Sequence, residues 1–352
     1  MTNSLLVFEP LLKKRAWGGD RLEAFGKRVP PGVRIGESWE LADLPGDAAA
    51  DCSVVSEGPE AGRSLRSLIE EDPDSILGRA QPGPGGVFPL LVKLLDAREN
   101  LSVQLHPSAE YAAQHEECHL KTEAWVVLAA DEGSKAYVGL DPSVDLARFN
   151  EAIESGRFLD ILVERELQPG DCIFLESGLC HALGAGTVVA EIQMPSDTTF
   201  RVWDWDRNDP DRPLHLEEAR SSIRLGEDQR TDWPLITRHA EARVLESGGL
   251  MTRRLVDCDR FRIDQLQPGE EVGETCSFSF PSNGMPHVFM CTSGGGTIEQ
   301  GEDVLSFYPG RTILMPAAVP EATFTLQVRD NAETSLLHAM PADPLHSARA
   351  AD

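Results

Sequence analysis

Four residues in three separated stretches carry the side chains of a metal site. Gln104 and His106 are two positions apart, and in a β-strand positions i and i+2 point to the same face. Glu123 opens an apolar run, and His181 follows a strand-length segment that begins with Pro-Gly. Two imidazoles, one carboxylate and one amide oxygen suit a zinc ion with positions open for a substrate, because no thiolate closes the coordination sphere. The spacing alone leaves open that these histidines serve packing or lie on the surface.

Short apolar runs bounded by Pro and Gly surround these residues and predict a mainly β protein. The predicted strands are 87–95, 124–129, 172–175, 188–192, 262–266, 312–315 and 324–328. The predicted helices are 64–71, 108–117, 146–155, 158–164 and 216–223. This mixture favours β-sandwiches or barrels with a helical insertion over alternating βαβ units.

Two stretches share one pattern, which predicts an internal repeat. A Pro-Gly turn leads into an apolar strand and a second turn at both 167–181 and 307–321, with His181 ending the first copy and Glu321 the second. Two barrel units fit a chain of 352 residues at about 150 residues per domain. The second unit lacks a Gln-x-His or His-x-His pair, so we expect no metal there. The predicted units are a catalytic one at 1–235, with helical segments near 141–165 and 208–225, a metal-free one at 236–345, and a tail at 346–352.

The composition limits the partners of the chain. Its 32 Lys and Arg against 58 Asp and Glu give a formal net charge of −26, which argues against nucleic acid or an anionic membrane as the main partner. Its seven cysteines are scattered without a Cys-x-x-Cys pair, which fits a reducing compartment. No apolar run reaches the length of a transmembrane helix. We therefore expect a cytoplasmic protein, in which any anionic substrate needs a local group of Lys and Arg.

Several motifs resemble type I mannose-6-phosphate isomerases, in particular the shorter bacterial form. They are Gln-x-His-Pro at 104–107, Lys-Thr-Glu-x-Trp at 121–125, and the Pro-Gly-Asp…Ser-Gly-x-x-His-Ala-Leu-Gly element at 169–184. The likeness extends to Trp-Gly-Gly at 17–19, Ile-Gly-Glu-Ser-Trp-Glu at 35–40, Pro-Leu-Leu-Val-Lys-Leu-Leu-Asp at 89–96 and the segment 191–207. It covers about residues 5–225 in the same order, whereas the remainder is similar only in outline.

The resemblance implies a fold, a cofactor and an activity. The fold is two cupin-type β-barrels (jelly rolls) with a small helical insertion, and one Zn²⁺ per chain is bound by Gln104, His106, Glu123 and His181. The activity is the interconversion of mannose 6-phosphate and fructose 6-phosphate through an enediol, in which zinc polarises the carbonyl as a Lewis acid. The implied partner is therefore a small sugar phosphate, and the chain is a monomer or a homodimer.

The resemblance also implies roles for individual side chains. Arg201 is the essential arginine, adding a fixed positive charge near the reacting oxygens. Lys93, with Ser102 beside it, holds the phosphate, and Trp17 is a further substrate contact. The proton shuttle stays open between Glu191, Lys121 and a water at the zinc.

Three alternatives stay open on the sequence alone. A related cupin isomerase could act on another or an unphosphorylated sugar, and a non-catalytic cupin could only bind a sugar. The segment from His115 to His119 fits the His-Glu-x-x-His pattern of zinc proteases. That pattern needs a buried helix and a third ligand, whereas this segment has the composition of an exposed helix end.

Overall fold

The fold is built mainly from short antiparallel strands. It is described from a computed structural model that covers residues 3–46, 49–207, 209–231, 234–270, 272–329 and 332–347. The strands of the first part of the chain are β1 (Leu6–Val7), β2 (Leu11–Lys13), β3 (Glu37–Leu41), β4 (Leu91–Ala97), β5 (Val103–Leu105), β6 (Glu123–Ala130), β7 (Lys135–Leu140), β8 (Leu162–Glu166), β9 (Cys172–Leu175), β10 (His181–Leu183), β11 (Thr187–Gln193), β12 (Phe200–Trp203) and β13 (Ile236–Thr237).

The strands of the second part are β14 (Arg243–Ser247), β15 (Leu250–Asp257), β16 (Phe261–Pro268), β17 (Thr275–Pro281), β18 (His287–Ser293), β19 (Gly296–Gln300), β20 (Asp303–Phe307), β21 (Thr312–Met315), β22 (Glu321–Arg329), β23 (Ala332–Glu333) and β24 (Ser335–Pro341). The helices are α1 (Leu65–Glu71), α2 (Pro73–Leu77), α3 (Ala109–Ala112), α4 (Leu146–Ser155), α5 (Leu216–Ser222) and α6 (Pro344–Ser347). Short 3₁₀ turns cover Arg21–Phe25, Ala49–Asp51, Pro84–Gly86, Phe158–Asp160 and Gly226–Gln229.

The strands form two sandwiches, each made of two sheets. In the first sandwich, a seven-stranded sheet of order β13-β9-β6-β11-β4-β3-β2 faces a five-stranded sheet of order β12-β5-β10-β7-β8. In the second sandwich, a seven-stranded sheet of order β1-β21-β18-β24-β16-β15-β14 faces a sheet of order β17-β22-β19-β20, with β23 paired to β22. The arrangement confirms the expected mainly β fold with two jelly-roll units of the cupin type.

The two seven-stranded sheets pack against each other in the middle of the molecule. One apolar cluster contains Val188, Ala190 and Ile192 of β11 together with side chains of β16, β18, β21 and β24. Val189, between them, points instead into the first sandwich. Strand β11 is therefore buried on both faces along its whole length.

The first strand of the chain crosses to the second sandwich, whereas β13 stays in the first. Strand β1 pairs with β21 of the second sandwich, with Leu6 opposite Leu314. Strand β13 pairs with β9 of the first sandwich, with Ile236 opposite Ile173. The predicted division at residue 235 stays a prediction, and residues 348–352 of the predicted tail lie outside the described residues.

The repeat predicted from the two Pro-Gly turns has matching strands. Strands β9 and β21 coincide with the predicted 172–175 and 312–315. His181 then opens β10, and Glu321 opens β22. The two copies therefore place an imidazole and a carboxylate at equivalent points, where the strand after the second turn begins.

Most helices begin and end where local capping dictates, but two predicted helices are wrong in part. The Asp145 side chain accepts the Arg148 backbone N–H, and Gly156 ends α4 in the left-handed region at φ 66°. The predicted helix 108–117 stops at Ala112, because the His115 imidazole donates to the Tyr111 carbonyl that a continuing helix would use. The predicted helix 158–164 is a 3₁₀ turn followed by β8, which pairs with β7.

Helices α4 and α5 lie on the outer face of the five-stranded sheet. Their apolar side chains share a cluster with Val103 and Leu105 of β5 and Val202 of β12. The helical insertion therefore covers the back of the sheet whose front faces the sandwich interior. Among the helices of the described ranges, none is long and apolar enough to cross a membrane.

Candidate active site

The first sandwich brings the four predicted metal ligands together. In the five-stranded sheet, Gln104 of β5 is directly opposite His181 of β10 and Arg201 of β12. Glu123 begins β6 in the facing sheet, and His106 follows β5 by one residue. Strand pairing thus brings together four predicted ligands that are up to 77 residues apart in the chain.

The ligand atoms of three of these side chains lie close enough together to bind one metal ion. His106 Nε2 is 3.4 Å from Glu123 Oε2, and His181 Nε2 is 3.2 Å from Glu123 Oε1. Gln104 reaches the cluster with its amide nitrogen, since Nε2 lies 3.5 Å from His181 Nε2 while Oε1 accepts from Ser102. The ligand atoms of the two histidines and the glutamate are all within 4.8 Å of one another, and all three side chains are fully buried. We refer to His106, Glu123 and His181 as the His–Glu–His cluster.

Backbone carbonyls fix the tautomers of both histidines. His106 Nδ1 donates to the Thr198 carbonyl at 3.0 Å, and His181 Nδ1 donates to the Leu179 carbonyl at 2.8 Å. Because a carbonyl only accepts, each Nδ1 carries a hydrogen, and a neutral ring then has a lone pair on Nε2. Both lone pairs are turned toward Glu123, and a hydrogen bond from the other ring nitrogen to a carbonyl is typical of metal-bound imidazole.

The charges in the cluster fit a cation at its centre. Burial, together with the charge of Lys121, lowers the pKa of His106 to about 3, so this imidazole is neutral. Burial alone would raise the pKa of Glu123, but Lys121 and His106 outweigh it and hold the pKa well below its usual range. Among the described residues, His106 Nε2 and both Glu123 oxygens have no hydrogen-bond partner, although Lys121 Nζ is 2.7 Å from Oε2. These unpaired acceptors face one another, and a divalent cation would satisfy all of them.

A hydrogen-bonded chain connects the cluster to Arg201. Ser102 Oγ donates to Gln104 Oε1 at 3.2 Å and accepts from Arg201 Nε at 3.3 Å. Arg201 Nη1 donates to the Pro213 carbonyl at 2.8 Å, which fixes the guanidinium plane. Burial, with the charge of Arg212, lowers the pKa of Arg201. The guanidinium still carries its charge, because arginine does not deprotonate in proteins.

Glu191 lies between two partners on the neighbouring strands. In the register of β11, it is opposite Lys93 of β4 on one side and Trp125 of β6 on the other. Lys93 Nζ is 3.0 Å from Oε2, and Trp125 Nε1 donates to Oε1 at 2.8 Å. Burial raises the pKa of Glu191 and the nearby Glu123 carboxylate adds to this, while Lys93 opposes it. A carboxyl with a raised pKa beside the His–Glu–His cluster is suited to proton transfer.

Lys93 is buried, and its charge is shared between two acids. Besides Glu191, the ammonium stabilises Glu37, whose pKa is lowered to about 2 by Lys93 and Arg15 despite its burial. Arg15 Nε and Nη2 donate to the two Glu37 oxygens at 2.8 and 3.1 Å. Trp39 Nε1 donates to Glu37 at 2.7 Å. Lys93 is thus already paired with Glu191 and stabilises Glu37, and its predicted contact with a phosphate stays a prediction.

A cavity of about 360 Å³ lies beside the cluster, and two of its lining residues, Gln104 and Lys121, contact His181 and Glu123. Of the predicted site residues it is lined by Trp17, Lys93, Ser102, Gln104, Lys121, Glu191 and Arg201. The sequence analysis missed Arg15, Glu37, Asp197, Thr199, Asp211 and Arg212, which line it as well. Arg15 lies two residues before Trp-Gly-Gly, and Arg212 lies five residues after Arg207, so proximity to these motifs was the available signal.

The cavity concentrates basic side chains in an acidic protein. Five basic side chains, Arg15, Lys93, Lys121, Arg201 and Arg212, line it beside the four acids Glu37, Glu191, Asp197 and Asp211. The whole chain has the opposite balance, with 58 acidic against 32 basic residues. The cavity is therefore the local positive region that an anionic substrate requires.

The alternative protease pattern does not form a metal site. His115 stacks on Tyr111 with 3.9 Å between ring centroids, and the segment that leads to His119 is not helical. Cys180 packs in the outer cluster with the helices, away from the interior that His181 faces. Glu321 is exposed at the start of β22. Within the part of the chain that the structure describes, the His–Glu–His cluster is the one group with metal-ligand spacing.

Comparison with known proteins gives a consistent result. The family described as the catalytic domain of type I phosphomannose isomerase matches residues 5–134. Mannose-6-phosphate isomerase ManA of Bacillus subtilis (strain 168) is 32% identical over 327 residues, covering 91% of this chain and 96% of that protein. The mannose-6-phosphate isomerase of Streptococcus mutans is 35% identical over 325 residues, covering 91% and 94%. A crystal structure of the mannose 6-phosphate isomerase from Bacillus subtilis matches with TM-score 0.80 and 26% identity, covering 96% of this chain and 99% of that one.

The fold and the site define a two-unit cupin whose first unit holds a buried His–Glu–His cluster beside a charged cavity. Relatives above 30% identity match over nearly their full length. The chain belongs to the type I mannose-6-phosphate isomerase family, and it is an enzyme of the isomerase class.

Proposed function

We propose that the protein interconverts mannose 6-phosphate and fructose 6-phosphate with one zinc ion bound by Gln104, His106, Glu123 and His181. The observation that carries the proposal is the set of unpaired acceptor atoms in the His–Glu–His cluster, next to a cavity lined by five basic side chains. The relatives named for this reaction support the choice of substrate. Nitrogen and oxygen donors without a thiolate support zinc with a position open to substrate.

The chain supplies both the ligands of the metal and the groups that hold them. When bound, the ion provides a Lewis acid that polarises a carbonyl oxygen. The Thr198 and Leu179 carbonyls keep the two histidines in the tautomer that leaves Nε2 available. Lys121, 2.7 Å from Glu123 Oε2, keeps this carboxylate ionised.

Glu191 is the proton-transferring group in this proposal. Its carboxylate would take the proton from C2 of the aldose and return it to C1, while the hydroxyl proton moves from O2 to O1. Lys93 and Trp125 hold the two oxygens in place, and the raised pKa brings the group closer to the working pH. Lys121 lines the same cavity, and its ammonium can assist the transfer of the hydroxyl proton.

Arg201 is placed to stabilise the negative charge of the enediolate oxygens. Ser102 and the Pro213 carbonyl fix its guanidinium beside Gln104, so no reorganisation is needed when charge develops. Trp17, 4% exposed, forms an apolar wall of the cavity and would contact the sugar. The seven free cysteines support a cytoplasmic location.

The test is an isomerisation assay with mannose 6-phosphate, run in deuterated water. We expect turnover together with deuterium exchange at C2, and a loss of about a hundredfold or more in kcat for Glu191→Gln with the metal retained. Glu40→Gln is a matched control, because Glu40 is also a buried carboxylate beside a lysine, with Lys27 Nζ at 2.6 Å. It should leave kcat within about threefold of wild type.

Two results would overturn the proposal. Binding of sugar phosphate without exchange at C2 would identify a non-catalytic sugar-binding cupin. A kcat/KM for mannose equal to that for mannose 6-phosphate would identify an isomerase of unphosphorylated sugars.

A further inference from the structure

Arg212 lines the cavity, and the mechanism above gives it no role. Its Nε and Nη2 donate to the two oxygens of Asp204 at 2.8 and 3.0 Å. Among the described residues, Nη1 has no partner. The side chain is 14% exposed, so it lies nearer the cavity mouth than the fully buried His–Glu–His cluster. One edge of the guanidinium is therefore anchored, and the other is available for hydrogen bonding.

Asp204 fixes Arg212 without neutralising the whole positive charge around it. Its buried carboxylate also accepts from Arg207 Nη1 at 2.9 Å, so one acid serves two guanidinium groups. Arg207 has further partners on the far side, the Asn100 carbonyl at 2.6 Å and the exposed Glu99 at 3.7 Å. Arg207 does not line the cavity, whereas Arg212 does. The uncompensated charge is thus on the cavity side.

The backbone between Asp204 and Arg207 is strained. Trp205 and Asp206 both have φ 56°, in the left-handed region that non-glycine residues rarely adopt. Such residues cluster at functional sites. The turn is held by Trp205 Nε1, which donates to the Leu101 carbonyl at 2.6 Å. This turn directs Arg207 to the Asp204 carboxylate, leaving the other side of that carboxylate for Arg212.

Arg201 is the second guanidinium at this point of the cavity. Arg201 Nη1 donates to the carbonyl of Pro213, the residue that follows Arg212, and both arginine side chains line the cavity. Two like charges beside one cavity repel each other unless an anion lies between them. The acids Asp197 and Asp211 that line the same cavity are exposed, where water screens them. The other basic side chains of the cavity each pair with a buried acid: Lys93 with Glu191, Arg15 with Glu37, and Lys121 with Glu123.

We propose that Arg212, positioned by Asp204, binds the 6-phosphate of the substrate, while Arg201 keeps its role at the enediolate oxygens. The inference rests on the proposed function and specifies its phosphate subsite. A phosphate dianion accepts several hydrogen bonds, and a guanidinium held on one edge offers its other edge without losing rotamer freedom on binding. The reacting carbons then point inward to the cluster, and the phosphate points toward the mouth.

The experiment compares Arg212→Ala and Arg212→Lys with wild type in two measurements. We expect Arg212→Ala to raise the KM for mannose 6-phosphate and the inhibition constant of inorganic phosphate, each by about tenfold or more. The kcat should stay within about threefold. The inhibition constant of unphosphorylated mannose, measured as a competitor, should not change. Arg212→Lys keeps the charge but not the fork, and it should give an intermediate effect.

Arg207→Lys is the matched control, because Arg207 also donates to Asp204 but does not line the cavity. An equal effect of Arg207→Lys and Arg212→Lys on the phosphate inhibition constant would show that Asp204 acts only structurally and would overturn the inference. So would an unchanged KM in Arg212→Ala. If the wild type does not isomerise mannose 6-phosphate, the proposed function fails, and calorimetric binding of inorganic phosphate to wild type and Arg212→Ala decides on the subsite independently.

Discussion

Each sandwich contains a buried group of two histidines and one acid, but the two groups use their ring nitrogens differently. In the second sandwich, His287 Nε2 donates to the Ser282 carbonyl at 2.9 Å. Its Nδ1 therefore accepts from His338 Nε2, also at 2.9 Å. His338 Nδ1 faces Asp264 Oδ2 at 3.7 Å, and Asp264 also pairs with Arg254. We refer to His287, His338 and Asp264 as the His–His–Asp chain.

In the first sandwich, the equivalent nitrogens are not paired with one another. Backbone carbonyls take the two Nδ1 hydrogens, and the two Nε2 atoms converge on a carboxylate. Around the His–His–Asp chain, Phe280 and Phe289 fill the space, each with its ring centroid 5.0 Å from that of His338. The comparison shows that buried histidines and acids do not by themselves make a metal site. The proposed metal site differs in that its unpaired lone pairs face one point.

The strongest test of this difference removes one histidine from each sandwich. His181→Ala should abolish metal retention and lower kcat/KM by about a thousandfold or more, because the Lewis acid lowers the activation barrier by several kcal/mol. His338→Ala should leave the metal content unchanged. Elemental analysis of both purified variants, with the isomerase assay, measures this. Metal retained in His181→Ala, or lost in His338→Ala, would remove the distinction between the two interiors.

The second test measures what the His–His–Asp chain contributes to stability. His338→Ala leaves His287 Nδ1 and Asp264 with a missing partner in a buried environment, which costs about 2–4 kcal/mol of unfolding free energy. Denaturant unfolding measures this loss. His119→Ala, at a half-buried turn position, should cost less than about 0.5 kcal/mol. Equal losses in the two variants would contradict a structural role for the chain.

The third test uses pH. Burial, with the nearby His338, lowers the pKa of His287 to about 3, below the usual 6.5 of a free imidazole. The unfolded state therefore binds a proton below pH 6.5 that the folded state does not, so stability falls as the pH decreases from 6.5 toward 3. Between pH 7.5 and 5, metal-free wild type should lose about 2 kcal/mol more than His287→Gln. Parallel pH dependence in both proteins would assign the acid sensitivity to other groups.

The smallest expected effects concern residues that resemble ligands but lie outside both interiors. Glu321→Ala changes an exposed carboxylate at the position equivalent to His181, and His115→Ala changes a histidine stacked on Tyr111. Both variants should keep the metal content and kcat/KM within about twofold of wild type, as surface substitutions usually do. A loss of metal in either would place a ligand outside the His–Glu–His cluster.

The convergence of the proposed ligands in the first sandwich could be predicted because it depends on a local rule. Gln104 and His106 share a face through strand alternation, and the Pro-Gly turn places His181 at the start of the next strand. The strands 172–175 and 312–315 were also predicted at their observed bounds, because turn residues define both ends.

Other features depend on contacts between distant parts of the chain, and the sequence pattern did not indicate them. The His–His–Asp chain joins β16, β18 and β24, whose order in the sheet is a matter of topology. Residues 203–206 alternate Trp and Asp as a strand would, but β12 ends at Trp203, since Trp205 and Asp206 are left-handed. This turn directs Arg207 to Asp204, so strand alternation fails beside the proposed phosphate subsite.

The most direct test of the central claim is the metal content of the purified protein, measured together with isomerase activity before and after chelation. We predict close to one zinc per chain, loss of activity on chelation, and recovery when zinc is added back. Full turnover of mannose 6-phosphate by protein free of metal would contradict the account.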